Sequence, residues 1–214
     1  MTQLENAKYG NITSLMKKIA LDEDLSPEVI CEKLANNRIV IIHSKLNNIK
    51  PIAIGEGLRI KVNANIGSSV KNTPVNIVTA KTAQAIEYGT DTIMDLTCAG
   101  DFDNIRQAVL RKSTLPIGSC PVYQIFGEAI QEGQDICKIQ EERFFEIIEK
   151  HARDGVSFMG IHCAITQEGI EKTSKRLMRI VSRGGGFLVR WMIGNKKENP
   201  LFLQFDRILK IFKK

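Results

Sequence analysis

Side chains able to do chemistry recur along this sequence at near-regular intervals, each beside or just after a short apolar run. Asn65 and Ser68 follow the alternation Leu58-Ile60-Val62-Ala64, and Met94, Asp95 and Thr97 close Thr92-Leu96. Tyr123 follows Pro116-Ser119, His162 follows Ser157-Ile161, and Ser182-Arg183-Gly184 closes Met178-Ser182. Together they supply amide, hydroxyl, imidazole, guanidinium and flexible backbone. Such a set suits a sugar phosphate, with arginine and glycine N–H groups for the phosphate and Asn and Tyr for ribose or a ring nitrogen. Taken singly, each residue has a plainer explanation. Asn65 can close an Asx turn, a strand-end Met94 is more often core, and Asp95 can cap a loop. His162 can be a satisfied core histidine, Arg183 a surface charge, and Gly184-Gly185-Gly186 a turn.

The elements that must position these residues alternate. Strands are predicted at Ile60-Asn65, Thr92-Leu96, Pro116-Ser119, Ser157-Ile161 and Met178-Ser182. Helices are predicted at Val75-Tyr88, Phe102-Lys112, Glu141-Asp154 and Gln167-Arg176, from stripes such as Phe144, Phe145, Ile147, Ile148 and Ala152. Strand–helix alternation argues for parallel strands with crossover helices, an α/β fold whose ligands bind at the carboxyl ends of the strands. Phe187-Leu188-Val189 is compatible with a strand, or with a helix running on through Trp191-Met192-Ile193. A final amphipathic helix is expected over Asn199-Phe212, with Leu201, Phe205, Ile208, Leu209 and Phe212 inward. Residues 1–56 read as a helical lead-in plus the strand Arg38-Ile42, with hydroxyl caps at Thr2, Thr13 and Ser26. Residues 57–214 form the α/β part.

A chain of 214 residues suffices for one sizeable core. Its apolar runs are strand length, too short for a membrane span, and Met1 to Lys18 has no apolar signal core. The five cysteines (Cys31, Cys98, Cys120, Cys137, Cys163) contain no C-x-x-C, which argues against a zinc knuckle or a disulfide framework and fits a reducing cytoplasm. The net charge of +6 is scattered apart from Lys172-Arg179 and Lys213-Lys214, and aromatics are only 6%, so a solvated basic surface is expected and nucleic acid is not.

The stretch Lys61-Val62-Asn63-Ala64-Asn65-Ile66-Gly67 resembles the signature of the phosphomethylpyrimidine synthase family, radical-SAM enzymes of thiamine biosynthesis. Further blocks resemble that family in its own order: Asp91-Thr92-Ile93-Met94-Asp95-Leu96, Pro116-Ile117-Gly118, Pro121-Val122-Tyr123-Gln124, Gly160-Ile161-His162, Ile180-Val181-Ser182-Arg183-Gly184-Gly185 and Glu198-Asn199-Pro200-Leu201. The resemblance covers nearly the whole chain but only the first part of the family's sequence. It implies that aminoimidazole ribotide is held by Asn65, Met94, Tyr123, His162, Ser182, Arg183 and Gly184. It also implies a (β/α)8, TIM-like barrel, of which about five βα units are expected here. An apolar last strand left uncovered would then favour self-association or a partner chain completing the barrel.

The same resemblance implies a [4Fe-4S] cluster, S-adenosylmethionine and zinc. The family's Asp-Gly-Leu-Arg loop, zinc histidines and C-x-x-C-x4-C triad are absent from these 214 residues, so no metal site is assigned and the chain alone is expected to be inactive. Some turns differ from the family's, among them Leu96-Thr97-Cys98-Ala99-Gly100, Gly118-Ser119-Cys120-Pro121 and Ile161-His162-Cys163-Ala164. Cys98, Cys120 and Cys163 fall at neighbouring predicted strand ends, where small buried apolar groups are the more common reading of isolated cysteines. Three functions stay open at this point: the ribotide-binding part of a pyrimidine synthase, a non-catalytic remnant, and a paralogue making hydroxybenzimidazole for the cobamide lower ligand from the same ribotide.

Overall fold

The computed structural model describes residues 1–44, 46–47, 49–69 and 73–213. Lys214, half of the basic C-terminal pair, lies outside them. Three short helices lead: α1 (Gln3–Lys8), α2 (Ser14–Glu23) and α3 (Pro27–Ala35). Their starts are fixed locally. Thr2, Thr13 and Ser26 each accept a backbone N–H of the first turn, and Thr2 with Glu5 forms a reciprocal capping box. The strand expected near Arg38-Ile42 is β1 (Ile39–Ile42). It pairs antiparallel with β2 (Ile52–Gly55), a partner that sequence pattern did not reveal. This hairpin packs on the helices through Met16, Ile19, Ile30, Leu34, Ile39 and Ala53.

The remainder is a parallel sheet with crossover helices. In chain order come β3 (Asn63–Ile66), α4 (Val75–Glu87), β4 (Thr92–Asp95), α5 (Phe102–Lys112), β5 (Ile117–Ser119), α6 (Pro121–Gln131), a 3-10 turn at Ile136–Lys138, α7 (Glu141–Arg153) and β6 (Phe158–Met159). Then follow α8 (Gln167–Thr173), α9 (Arg183–Asn195), α10 (Pro200–Leu203) and α11 (Phe205–Lys213). The strand order is β3-β4-β5-β6, all parallel. α4 and α5 cover one face through Val78, Ile93, Ile105, Val109 and Ile117. The larger core joins α6, α7, α9 and α11 around Phe126, Phe144 and Trp191, whose rings meet edge-on or tilted at 5.3–5.9 Å in the Phe126–Phe144, Phe126–Phe187 and Phe144–Trp191 pairs.

Three expectations are corrected. Among the described residues the parallel sheet has four strands, so the fifth βα unit is not formed: Met178-Ser182 pairs with nothing, and Leu177, Met178 and Val181 are 101%, 63% and 71% exposed. A β-prone sequence becomes a strand only when a neighbour takes its backbone hydrogen bonds. The first strand starts later than its apolar alternation, at Asn63, leaving Ile60 and Val62 exposed at 87% and 59%. The segment Pro121–Gln131, to which the sequence pattern assigned no element, is a helix with Pro121 in its first turn and Val122, Ile125, Phe126 and Ala129 buried. The C-terminal helix breaks at Gln204, and its inner residues are Leu201, Ile208 and Ile211, whereas Phe205, Leu209 and Phe212 are 43–47% exposed. The ambiguous Phe187-Ile193 segment is helical.

A set of ion pairs joins the N-terminal helices to the sheet. Lys61 and Glu23 pair at 2.6 Å with both side chains 5% exposed, and Arg59 grips Asp91, whose carboxylate also accepts the Val62 N–H at 2.8 Å. These bonds occupy the backbone just before β3, where the alternation had predicted strand.

Candidate functional site

The sheet register sets Asn65 beside Met94, Met94 beside Gly118, and Gly118 beside Phe158. Side chains alternate across a strand. Ile66 and Ile93 point to α4 and α5, so Asn63, Asn65, Thr92 and Met94 share the opposite face. There Asn63 donates to Asn65 Oδ1 at 2.9 Å and accepts from Thr92 Oγ1 at 2.8 Å. The amides therefore order each other, and neither closes an Asx turn. Met94 is half-buried and belongs to none of the three apolar clusters of the described residues. Gly67 ends the strand at φ +135°, where a Cβ would stand 2.5 Å from the Thr97 nitrogen.

Beyond these strand ends a chain of polar contacts leads to Arg183. Asp95 Oδ1 accepts from the Thr97 N–H at 2.9 Å and from Thr97 Oγ1 at 2.5 Å, so it caps its own turn; burial raises its pKa. Thr97 Oγ1 accepts the Ser68 N–H at 3.2 Å, and the Ser68 carbonyl accepts both the N–H and the thiol of Cys98, at 3.0 and 3.4 Å. The Cys98 sulfur in turn accepts from Arg183 Nη1 at 2.7 Å. Arg183 is not at a strand end, as its sequence position had suggested, but in the first turn of α9, capped by Ser182 Oγ on the Gly185 N–H at 3.1 Å. Among the described residues its guanidinium meets this thiol and no carboxylate.

His162 stands against the same turn. A Cβ on Gly184 would lie 2.8 Å from His162 Cε1 and 2.6 Å from Val122 Cγ1, so only glycine lets the imidazole and α6 approach α9 this closely. The buried Nδ1 of His162 has no hydrogen-bond partner among the described residues, and burial lowers its pKa, favouring the neutral ring. Tyr123, in the first turn of α6, has its hydroxyl pKa raised by burial and by Cys120, with Arg183 acting against the shift. The structure thus gathers Tyr123 with Arg183 and Cys98, and His162 with Gly184. Asn65 and Met94 are neighbours in the adjoining sheet.

Other groups do not fit chemistry. Ser119 Oγ lies 2.8 Å from His151 Nδ1, the spacing of a nucleophile and its base, but the two are 2% and 3% exposed and lie on the helix side of the sheet. The cysteines are all free thiols, and burial pushes Cys120 up to about 12. Among the described residues no three His, Cys, Asp or Glu side chains are grouped to hold a metal ion, so Cys98, Cys120 and Cys163 do not fit an iron–sulfur cluster.

Comparison with known proteins decides the family. The model of the Radical SAM ThiC family matches residues 2–214. The chain belongs to this family. It is 41% identical over 216 residues to a phosphomethylpyrimidine synthase of Thermodesulfovibrio yellowstonii, covering all of this chain and 51% of that protein. It is 46% identical to a phosphomethylpyrimidine synthase of Geobacter metallireducens, and 42% identical to a 5-hydroxybenzimidazole synthase of Desulfuromonas acetoxidans, covering 99–100% of this chain and 50% of each relative. The chain spans about half the length of these curated relatives. Among the described residues no helix is long and apolar enough to cross a membrane.

Within this ThiC-family chain, sequence reasoning passed over two residues of the site. Cys98 was read with Cys120 and Cys163 as a small buried apolar group rather than as a partner for Arg183. Asn199 was noted only as part of Glu198-Asn199-Pro200-Leu201, yet it is 0% exposed and donates to the carbonyls of His162 and Ile165 at 2.8 and 2.9 Å while accepting the Leu201 N–H at 3.0 Å. An asparagine before proline at the head of the apolar run Leu201-Phe202-Leu203 was the available signal. Asn199→Ala is expected to cost about 2–4 kcal/mol of unfolding free energy, since it leaves buried carbonyls and an N–H unpaired. Urea unfolding checks this, and a loss below about 1 kcal/mol would mean that water replaces the amide.

Proposed function

We propose that this chain is the ribotide-binding part of a phosphomethylpyrimidine synthase, the enzyme that builds the pyrimidine of thiamine, and that it binds aminoimidazole ribotide. The observation that carries this is the gathering of Tyr123, His162, Gly184 and an acid-free Arg183 beyond the strand ends that hold Asn65 and Met94. In this assignment Asn65 and Tyr123 bond polar groups of the ribotide and Met94 packs on its imidazole. Neutral His162 offers a hydrogen bond, and Arg183 with Ser182 and Gly184 receives the phosphate at the N-terminal end of α9.

Residues 57–214 are proposed as part of a TIM-like barrel, with residues 1–56 a lead-in to it. Two features support that. Among the described residues β3 and β6 each have a single neighbour, and Asn63 and Asn65 are exposed on a face that parallel sheets ordinarily cover. Barrel completion by further polypeptide would enclose that face. The cluster, S-adenosylmethionine and zinc of the family are proposed to be held by that further polypeptide. The residues here do not fit them, and no bond-breaking step is assigned to this chain. The 5-hydroxybenzimidazole synthase of Desulfuromonas acetoxidans, as similar as the pyrimidine synthases, supports a second reading in which the same ribotide leads to a benzimidazole.

Titration calorimetry with aminoimidazole ribotide tests the site. Arg183→Ala is expected to weaken binding about tenfold to a hundredfold, the worth of a charged hydrogen bond. Arg179→Ala, on the exposed segment before it, should change it less than about twofold, as surface substitutions do. Equal losses would indicate a diffuse basic surface, and absence of wild-type binding would overturn the assignment.

A further inference from the structure

We propose that Cys98 is a positioning residue for Arg183: its thiol holds the guanidinium beside the mouth without neutralising it. The inference rests on the ribotide site proposed above. Arg183 begins α9 on an exposed surface, and a long side chain there is otherwise free to sample many rotamers. The Cys98 sulfur takes the Nη1 donor at 2.7 Å and directs its own hydrogen to the Ser68 carbonyl at 3.4 Å. That carbonyl also accepts the Cys98 N–H at 3.0 Å. Ser68, Thr97 and Asp95 are 2%, 6% and 7% exposed, and the bonds among them run back to the last residue of β4. Cys98 therefore stands on a buried, fully bonded base, and its sulfur is the outermost link.

Sulfur is a weak acceptor and carries no charge as a thiol. It orients the cation yet leaves it free to bond an arriving anion. A carboxylate at this position would grip the guanidinium harder and cancel the charge the phosphate needs. An alanine would release it, and a serine could accept and donate in the same manner. Preorganisation of this kind raises affinity by lowering the ordering cost of binding.

The test compares aminoimidazole ribotide affinity across Cys98→Ser, Cys98→Ala, Cys98→Asp, Arg183→Ala and the Cys98→Ala/Arg183→Ala double variant. Serine is expected within about threefold of wild type, alanine about tenfold weaker and aspartate about a hundredfold weaker, each tenfold being one decade in Kd. The alanine penalty should vanish in the Arg183→Ala background, because nothing is left to position. A penalty that persists there would reveal a merely structural thiol and overturn the proposal, as would Cys98→Ala binding like wild type while Arg183→Ala does not. Wild-type affinity in Arg183→Ala would instead overturn the phosphate assignment itself. A ligand-free measurement decides the positioning in any case. Phenylglyoxal modification of Arg183, followed by peptide mass spectrometry, should be faster in Cys98→Ala than in Cys98→Ser, and equal rates would overturn the proposal.

Discussion

Arg106→Ala is expected to lower the free energy of unfolding by about 3–5 kcal/mol, the cost of removing one partner from a buried ionic network. Arg106 is 2% exposed and ties three helices together. From α5 it donates to Asp154 just beyond α7 at 2.6 and 2.8 Å, to Gln124 on α6 at 2.7 Å, and to Asp103 one turn earlier at 2.7 Å, with His151 at 3.0 Å. Lys150 also pairs with Asp103. Burial would raise Asp103, but bonds from Lys150, Gln124 and Arg106 hold it at about 2. Truncating the arginine leaves Gln124 and His151, 2% and 3% exposed, with unpaired buried polar atoms, and leaves the 19% exposed Asp154 carboxylate without its cation. Arg106→Lys retains the charge but not the planar fork, and should fall between wild type and alanine. Guanidinium unfolding at neutral pH measures all three, and a loss below about 1 kcal/mol for alanine would show the network to be dispensable.

Acid should destabilise the fold well before the carboxylates titrate. Burial, with Arg106 and Lys150 adding to it and Asp103 opposing, lowers His151 from 6.5 to about 3. Between those two values the unfolded chain binds a proton that the folded protein refuses, so stability is complete above pH 6.5 and drains away as pH falls toward 3. From pH 7 to pH 4 the loss from this group is roughly 3 kcal/mol, at about 1.36 kcal/mol per pH unit. His162, also lowered by burial, adds in the same direction, whereas Asp95, raised above 3.8 by burial, opposes it within the same acidic window. His151→Gln removes only the His151 contribution. Its stability should therefore be much flatter between pH 7 and pH 4, although lower at pH 7 because the Ser119 contact at 2.8 Å is disturbed. Parallel slopes for the two proteins would mean that His151 is protonated in the native state.

The fold and the site were legible in the sequence to different depths. The N-caps at Thr2, Thr13 and Ser26 were readable because a hydroxyl and the N–H three residues on are local partners. The helices Val75–Glu87, Phe102–Lys112 and Glu141–Arg153 were readable because their buried faces repeat every three to four residues. The strands at Thr92–Asp95 and Ile117–Ser119 followed from their apolar runs. The order of the motif blocks gave the family.

What sequence could not decide are the pairings between distant segments. Met178-Ser182 has the composition of a strand but no strand neighbour among the described residues, and Ile39–Ile42 found its partner at Ile52–Gly55 across a loop. Cys98 meets Arg183 across 85 positions, Asn199 reaches His162 across 37, and Arg106 reaches Asp154 across 48. Nothing in the local chemistry of a cysteine or an asparagine announces such a contact. The sequence by itself determined where helices begin, which residues are apolar enough to be covered, and which polar groups stand near strand ends. Only the tertiary structure decided which of those groups face one another, because a hydrogen bond between remote residues exists only once packing has desolvated and aligned both partners.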